Sequence, residues 1–123
     1  MDALAHYLDV LARFADFDGR ASRAQFWGFW VVHAIVTLVL LAASVAVGLV
    51  LGLAWIGGSA VLALYLAASF FPALSLLARR LHDVGRSSFF VALALVPIAG
   101  LVVLYWCLLP SEPAPNAWGR PPA

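Results

Sequence analysis

A stretch with no aspartate, glutamate, lysine or arginine runs from residue 24 to residue 78, between Arg23 and Arg79. A helix needs roughly 20 apolar residues to cross about 30 Å of hydrocarbon, so this stretch is long enough for two passes. The chain is also very apolar, since 65% of its 123 residues are hydrophobic and 11% are charged. So few polar residues cannot cover the surface of a water-soluble globule. The sequence therefore predicts an integral membrane protein.

Three hydrophobic segments follow one another along the chain. We predict transmembrane helices over residues 26–53, 59–78 and 89–109, with the first two separated at Gly57-Gly58. Because backbone groups in lipid must be hydrogen-bonded internally, these lengths suit helices better than the roughly ten-residue strands of a membrane barrel. The predicted fold class is an all-α membrane protein with three transmembrane helices in a single domain. Pro97 and Gly100 interrupt the third segment, and its length favours one kinked helix over a re-entrant pair.

The arginines mark one side of the membrane. Three precede the first segment and three join the second to the third: Arg13, Arg20, Arg23, Arg79, Arg80 and Arg86. The positive-inside rule places both groups, and with them the N-terminus, in the cytoplasm. With three passes, the Gly57-Gly58 hairpin and the proline-rich tail of residues 110–123 then lie outside the cytoplasm.

The N-terminal residues form a separate element. Apolar side chains recur at helical spacing over residues 1–16, which predicts an amphipathic helix lying at the membrane interface. A helix packed against the bundle would show the same pattern. In the cytoplasmic segment 17–25, Ser22 and Gln25 have the spacing of a capping box, which predicts the start of the first long helix.

Two features inside the first hydrophobic segment concern packing. Ser44, Gly48 and Gly52 recur every fourth residue and would let another helix approach closely, either the second helix of the same chain or a second copy. His33 lies near the cytoplasmic end of this segment. It is expected to be a hydrogen-bonded packing residue, and the alternative is a proton relay.

The cytoplasmic segment 79–88 carries the strongest polar pattern. Asp83 has the wrong sign of charge for the C-terminus of a helix, so an arginine partner is expected. Arg79 lies four residues earlier on the same helical face, and Arg20 arrives at the same membrane surface from the first segment. A bidentate arginine–carboxylate pair could clamp the two segments together. Gly85 is expected to end the helix in the left-handed conformation.

The two cytoplasmic segments together resemble the DUF805 family. The resemblance rests on Phe17-Asp18-Gly19-Arg20-Ala21-Ser22-Arg23, followed by Phe26-Trp27, and on Arg79-Arg80-Leu81-His82-Asp83-Val84-Gly85-Arg86-Ser87. It continues through Pro97-Ile98-Ala99-Gly100 to the tail. Ser88-Phe89 departs from the family, which usually has Gly-Trp there. The resemblance implies a small multi-pass protein of the bacterial inner (plasma) membrane, and it implies no reaction, because the activity of the family is undefined.

Several classes of function find little support in the sequence. His82 and Asp83 could serve as a general base and its orienting group, but neighbouring helical residues point about 100° apart and no catalytic motif accompanies them. The lone Cys107 gives no metal-ligand spacing, and we predict no metal and no cofactor. A net charge of +1 does not suggest a nucleic-acid partner. We therefore predict that the protein is not an enzyme.

The sequence supports one candidate site, a polar cluster at the cytoplasmic surface. Its predicted members are Asp18, Arg20, Arg23, Arg79, Arg80, His82, Asp83 and Arg86. We interpret the chain as a structural or accessory membrane component that contacts the lipid bilayer and a second copy or another membrane protein. The first alternative is a binder of an anionic lipid or small acidic ligand through these arginines. A component of an oligomeric transporter is a weaker alternative, because three segments do not form repeated halves.

Overall fold

The structure is a computed structural model that describes residues 2–52 and 56–122. Its helices are α1 (Ala3–Ala12), α2 (Arg23–Leu51), α3 (Ile56–Asp83), a 3-10 helix (Ser88–Leu95) and α4 (Ala99–Leu108). Within these residues no β-strand is present, and an isolated bridge joins Asn116 to Gly119. The predicted all-helical class is therefore confirmed.

Two helices, α2 and α3, are long and apolar enough to cross a membrane. The Ser22 hydroxyl caps the start of α2 by accepting a hydrogen bond from the backbone N–H of Gln25 at 3.1 Å. Gly52 ends α2 in the left-handed conformation with φ 63°, a common way for glycine to end a helix. Gly57 and Gly58 lie in the first turn of α3, so the predicted break at these two glycines is wrong. The predicted end of the first segment, Leu53, lies outside the described residues.

The third hydrophobic segment is not one helix. The 3-10 helix and α4 lie side by side as a hairpin, with the rings of Phe90 and Trp106 centred 5.2 Å apart. Near the bend, a Cβ placed on Gly100 would lie 3.0 Å from the Ala94 carbonyl oxygen. The predicted single helix over residues 89–109 is therefore wrong.

Local backbone chemistry explains this hairpin. Val96 is extended, with φ −95° and ψ 123°, as residues before proline usually are. Pro97 has no N–H to continue a helical ladder, and Gly100 permits the close crossing of the two arms. The arms contain 8 and 10 residues, so each is about 15 Å long. This length is about half the thickness of a bilayer core.

The hairpin brings the C-terminal tail back to the end of α3. The Arg80 Nε donates to the Cys107 carbonyl at 3.1 Å, and the Glu112 amide donates to the Asp83 carbonyl at 2.9 Å. The tail was predicted to lie at the opposite face from the arginine segments. That prediction is wrong, because a segment that folds back on itself ends where it began.

The first helix, α1, packs against both long helices. Tyr7 and Val10 are buried on its inner face. The side-chain amide of Gln25 donates to the Asp9 carboxylate at 2.7 Å. In a complete capping box the Gln25 side chain would bond back to the Ser22 N–H. Here it bonds to α1 instead, so the box is only half formed. On the outer face Leu4 is 57% exposed. This exposed apolar face fits contact with lipid, so the interfacial position of α1 stays a prediction.

The buried core lies at the end of the molecule that holds the arginines. Its members are Tyr7, Val10, Ala21, Phe26, Phe29, Leu76, Leu81, Val103 and Cys107. Toward the other end, a cleft of about 540 Å³ lies between α2 and α3. Ser44, Gly48 and Gly52 line this cleft together with Ser59 and Leu62. These three small residues therefore border an open space between α2 and α3, and their close approach by a second copy stays a prediction.

Candidate functional site

Asp83 lies at the centre of the candidate site. Its side chain has no exposed surface, and its Oδ1 accepts from the Arg20 Nε at 3.0 Å. Its Oδ2 accepts from the Arg80 guanidinium and from the Ser111 hydroxyl. The predicted arginine partner is confirmed: of the candidates named from the sequence, Arg20 binds Asp83 and Arg79 does not. We call Arg20, Arg80, His82, Asp83 and Ser111 the Asp83 cluster.

Arg20 connects the loop before α2 to the C-terminal tail. Beyond its bond to the Asp83 carboxylate, its guanidinium donates to the carbonyls of Glu112 at 2.6 Å and Ala114 at 3.0 Å. It also reaches the carbonyls of Asp83 at 3.2 Å and Gly119 at 3.3 Å. The planar fork of an arginine is suited to several acceptors at once. One buried side chain therefore holds the tail against α3.

Arg80 closes the C-terminal end of α4. It donates to the Cys107 carbonyl, to the Leu109 carbonyl and, at 3.2 Å, to the Ala21 carbonyl. The last carbonyls of a helix have no partner within the helix and carry a partial negative charge. A buried guanidinium satisfies both needs. Arg80 thus fixes the returning arm of the hairpin to α3.

His82 is a packing residue in the same cluster. Its ring stacks on the Trp118 indole with centroids 4.5 Å apart and planes inclined by 4°. Its Nδ1 hydrogen-bonds the Gly19 carbonyl at 2.9 Å, which requires the proton on Nδ1. Its backbone carbonyl accepts from the Asn116 amide at 2.9 Å. His82 therefore packs between the loop before α2, which it contacts at Gly19, and the tail, which it contacts at Asn116 and Trp118.

Three further predicted members lie at the edge of the Asp83 cluster or outside it. Arg23 is exposed and donates to the Leu108 carbonyl at 3.5 Å. Arg86 is exposed and lies 4.6 Å above the Trp106 ring. Asp18 is exposed and has no ion pair among the described residues. The structure therefore brings together Arg20, Arg80, His82 and Asp83. Asp18, Arg23 and Arg86 lie exposed outside this group.

Arg79 differs from every other arginine in the part of the chain that the structure describes. Its side chain has no exposed surface, yet Nε, Nη1 and Nη2 make no hydrogen bond. The charges that act on it are those of Arg13, Asp16 and Asp9, on and after α1. Arg79 is thus buried under the first element and separate from the Asp83 cluster.

The structure also contains a polar chain that the sequence did not predict. The hydroxyls of Tyr7 and Tyr65 lie 2.8 Å apart, and the Tyr65 hydroxyl lies 2.9 Å from the His33 Nδ1. The His33 ring stacks between Phe29 and Tyr65. This arrangement fits the expected hydrogen-bonded packing role of His33. The signal in the sequence was weak, since Tyr7 belongs to the apolar stripe of α1.

Replacing Tyr65 by Phe should lower the free energy of unfolding by about 1–2 kcal/mol, because the Tyr7 hydroxyl and the His33 ring would both lose a partner. Thermal unfolding in detergent measures this loss. Tyr105→Phe is the matched control, since Tyr105 is 60% exposed. Equal melting of the two variants would show that the Tyr7, Tyr65 and His33 chain contributes nothing.

Comparison with known proteins identifies the family of this chain. Residues 14–120 match a family described as "Protein of unknown function (DUF805)". The chain belongs to the DUF805 family. Inner membrane protein YhaI of Escherichia coli (strain K12) is 36% identical over 117 residues, which cover 94% of this chain and 93% of that protein. Inner membrane protein YhaH of the same strain is 35% identical over 121 residues, with 94% of each chain covered.

No solved structure matches this DUF805 protein. The resemblance identified from the two cytoplasmic segments is nevertheless confirmed by the family match. Both relatives are named as inner membrane proteins, and two helices of this chain have the length and composition of membrane spans. The DUF805 protein is accordingly a membrane component of the bacterial inner membrane.

Proposed function

We propose that this DUF805 protein is a structural or accessory component of the inner membrane, held in one conformation by the Asp83 cluster. The observation that carries the proposal is the fully buried Asp83 carboxylate shared by Arg20 and Arg80. Burying such ions costs desolvation energy, which good geometry and further hydrogen bonds must offset. Here those bonds tie α3 to the loop before α2, to the end of α4 and to the tail. The cluster therefore specifies how four segments meet.

The topology that goes with this proposal has two passes. In it α2 and α3 cross the membrane, and the 3-10 helix and α4 form a re-entrant hairpin that enters about half of the bilayer. Both termini then lie with the Asp83 cluster at one face. The positive-inside rule makes that face cytoplasmic, since six arginines lie between residues 13 and 23 or between residues 79 and 86.

The same contacts argue against a ligand role for the Asp83 cluster. The donors of Arg20 and Arg80 already bind the Asp83 carboxylate and backbone carbonyls. An anionic lipid would have to displace those bonds to reach either guanidinium. His82 is 4% exposed and its ring is stacked on Trp118, with its Nδ1–H given to the Gly19 carbonyl, so a substrate has little access to the imidazole. A transporter component would require an oligomer that supplies a pathway.

Native mass spectrometry of the protein extracted in mild detergent tests the accessory role. We expect the wild type to retain a second copy or another membrane protein. Arg20→Met, which releases the tail from α3, should lose that partner, while the exposed control Arg120→Met should keep it. A single bare chain from wild-type membranes would contradict the proposal.

A further inference from the structure

The buried guanidinium of Arg79 is the one arginine that the Asp83 cluster does not explain. Its exposed fraction is 0%, and none of its three nitrogens has a hydrogen-bond partner within the described residues. Leaving a cation buried and unpaired costs several kcal/mol even after the protein relaxes. Since folded proteins pair or ligate almost every buried charge, Arg79 points to a partner from outside the chain.

The surroundings of Arg79 define where that partner would enter. Arg79 lies four residues after Ser75 and therefore on the same face of α3. The Ser75 hydroxyl donates to the Pro72 carbonyl at 2.9 Å, and the Arg13 carbonyl lies 3.4 Å from the same oxygen, so the turn of residues 13–16 covers this face. Because the single Ser75 proton is given to Pro72, the longer contact with Arg13 holds the turn to α3 only weakly. On the turn itself Phe14 is 56% exposed. The turn of residues 13–16 is therefore the part of the chain beneath which a partner of Arg79 would lie.

The nearest carboxylates are already engaged elsewhere. Asp16 Oδ2 accepts from the Arg13 Nε at 2.9 Å and from its Nη2 at 2.5 Å. Asp9 accepts from the Gln25 amide at 2.7 Å. Burial acts to raise the pKa of Asp16, but the hydrogen bond and charge of Arg13, the Asp18 N–H and the charge of Arg79 together lower that pKa below its ordinary value, so Asp16 stays ionised. The charges of Asp16 and Asp9 act on the Arg79 guanidinium electrostatically, but neither carboxylate forms a hydrogen bond with it.

We propose that Arg79 binds a phosphate-bearing anion beneath the turn of residues 13–16. A guanidinium presents its donors in a planar fork that matches the oxygens of phosphate. In the proposed topology Arg79 lies near the level of the cytoplasmic headgroups, where anionic lipids concentrate. The phosphate belongs either to a lipid headgroup or to a free anion. Arg13, with a side chain 40% exposed at the rim, is the second cation that such a ligand would meet.

Thermal unfolding of the detergent-purified full chain tests this site. One arm adds a short-chain phosphatidylglycerol and compares it with the matching phosphatidylcholine. The other arm adds inorganic phosphate and compares it with chloride at equal ionic strength. At about 100 times the dissociation constant, the melting temperature of the wild type should rise by roughly 10 °C in at least one arm. The responding arm identifies the source of the phosphate.

Variants separate this site from a general charge effect. Arg79→Met should abolish the rise and should melt at or above the wild-type temperature without ligand, since it removes an unpaired buried charge. Arg120→Met should respond like the wild type. Asp16→Asn, which removes a competing negative charge, should bind the same ligand roughly fivefold more tightly.

Three results would overturn the proposal. The first is that neither probe raises the wild-type melting temperature above its matched control. The second is that Arg79→Met responds as fully as the wild type. The third is that Asp16→Asn binds the ligand more weakly, which would make Asp16 the real partner of Arg79. The wild-type and Asp16→Asn measurements decide the question even if Arg79→Met does not fold. None of these results depends on whether the protein retains an accessory partner.

Discussion

Replacing Asp83 by Ala should lower the free energy of unfolding by about 3–5 kcal/mol, because it leaves two buried guanidiniums without their shared counterion. Arg20 and Arg80 are 7% and 0% exposed, so water cannot readily replace the carboxylate. The remaining carbonyl partners of the two arginines are neutral and cannot balance two charges. A loss of this size exceeds what most single surface substitutions cause.

The measurement is thermal or denaturant unfolding in detergent, with Arg13→Ala as the control. Arg13 also makes an ion pair, with Asp16, but its side chain is 40% exposed. An exposed pair of this kind contributes about 0–1 kcal/mol. If the Asp83 and Arg13 variants unfold alike, the Asp83 cluster does not hold the fold together. Asp83→Asn should fall between them, since it keeps the shape and some of the hydrogen bonds but removes the charge.

Much of the candidate site could be predicted because charged residues are rare in this chain. Asp83 lies beside helix-ending arginines, and its unfavourable sign there signalled a partner. The i, i+4 rule suggested Arg79 and the shared membrane surface suggested Arg20. The structure uses Arg20, and it uses Arg80, three residues before Asp83, in place of Arg79. On the surface of a helix both spacings bring side chains together, so spacing alone does not choose between them. The packing of the loop and tail against α3 makes that choice.

The hairpin could not be predicted from the length of the segment, because the 21 residues from 89 to 109 are enough for one helix to cross the membrane. Pro97 and Gly100 were visible, but either residue is also compatible with a kinked helix. The decisive interactions are those of Arg80 with the carbonyls of Cys107 and Leu109. Every residue has a backbone carbonyl, so such acceptors leave no pattern in the sequence. The position of the tail was missed for the same reason.

The ends of the long helices show the opposite case. Ser22 acts on the backbone through its hydroxyl and Gly85 through its lack of a Cβ, and both predictions are confirmed. Ser22 caps α2, and Gly85 follows α3 with φ 78°. Gly57 and Gly58 misled the prediction because glycine is also tolerated within a helix, at a cost of about 1 kcal/mol each. A pair of glycines therefore marks a turn less reliably than a capping side chain does.

A reporter fused after Ala123 should lie in the cytoplasm. Two passes followed by a half-membrane hairpin return the tail to the face of the Asp83 cluster, whereas three passes would place it outside. Green fluorescent protein at this position should fluoresce, and alkaline phosphatase there should show only background activity. Phosphatase fused after Gly52, at the far end of α2, should be active and serves as the control.

The reporter should show the tail wholly on one side of the membrane, because hydrogen bonds join the tail to the Asp83 cluster. Arg20 lies before α2 and donates to the Glu112 and Ala114 carbonyls, so loop and tail must share one face of the membrane. Moving the tail across would break those bonds. An active C-terminal phosphatase would therefore restore the three-pass topology and remove the hairpin, the tail contacts and the cluster that depends on them.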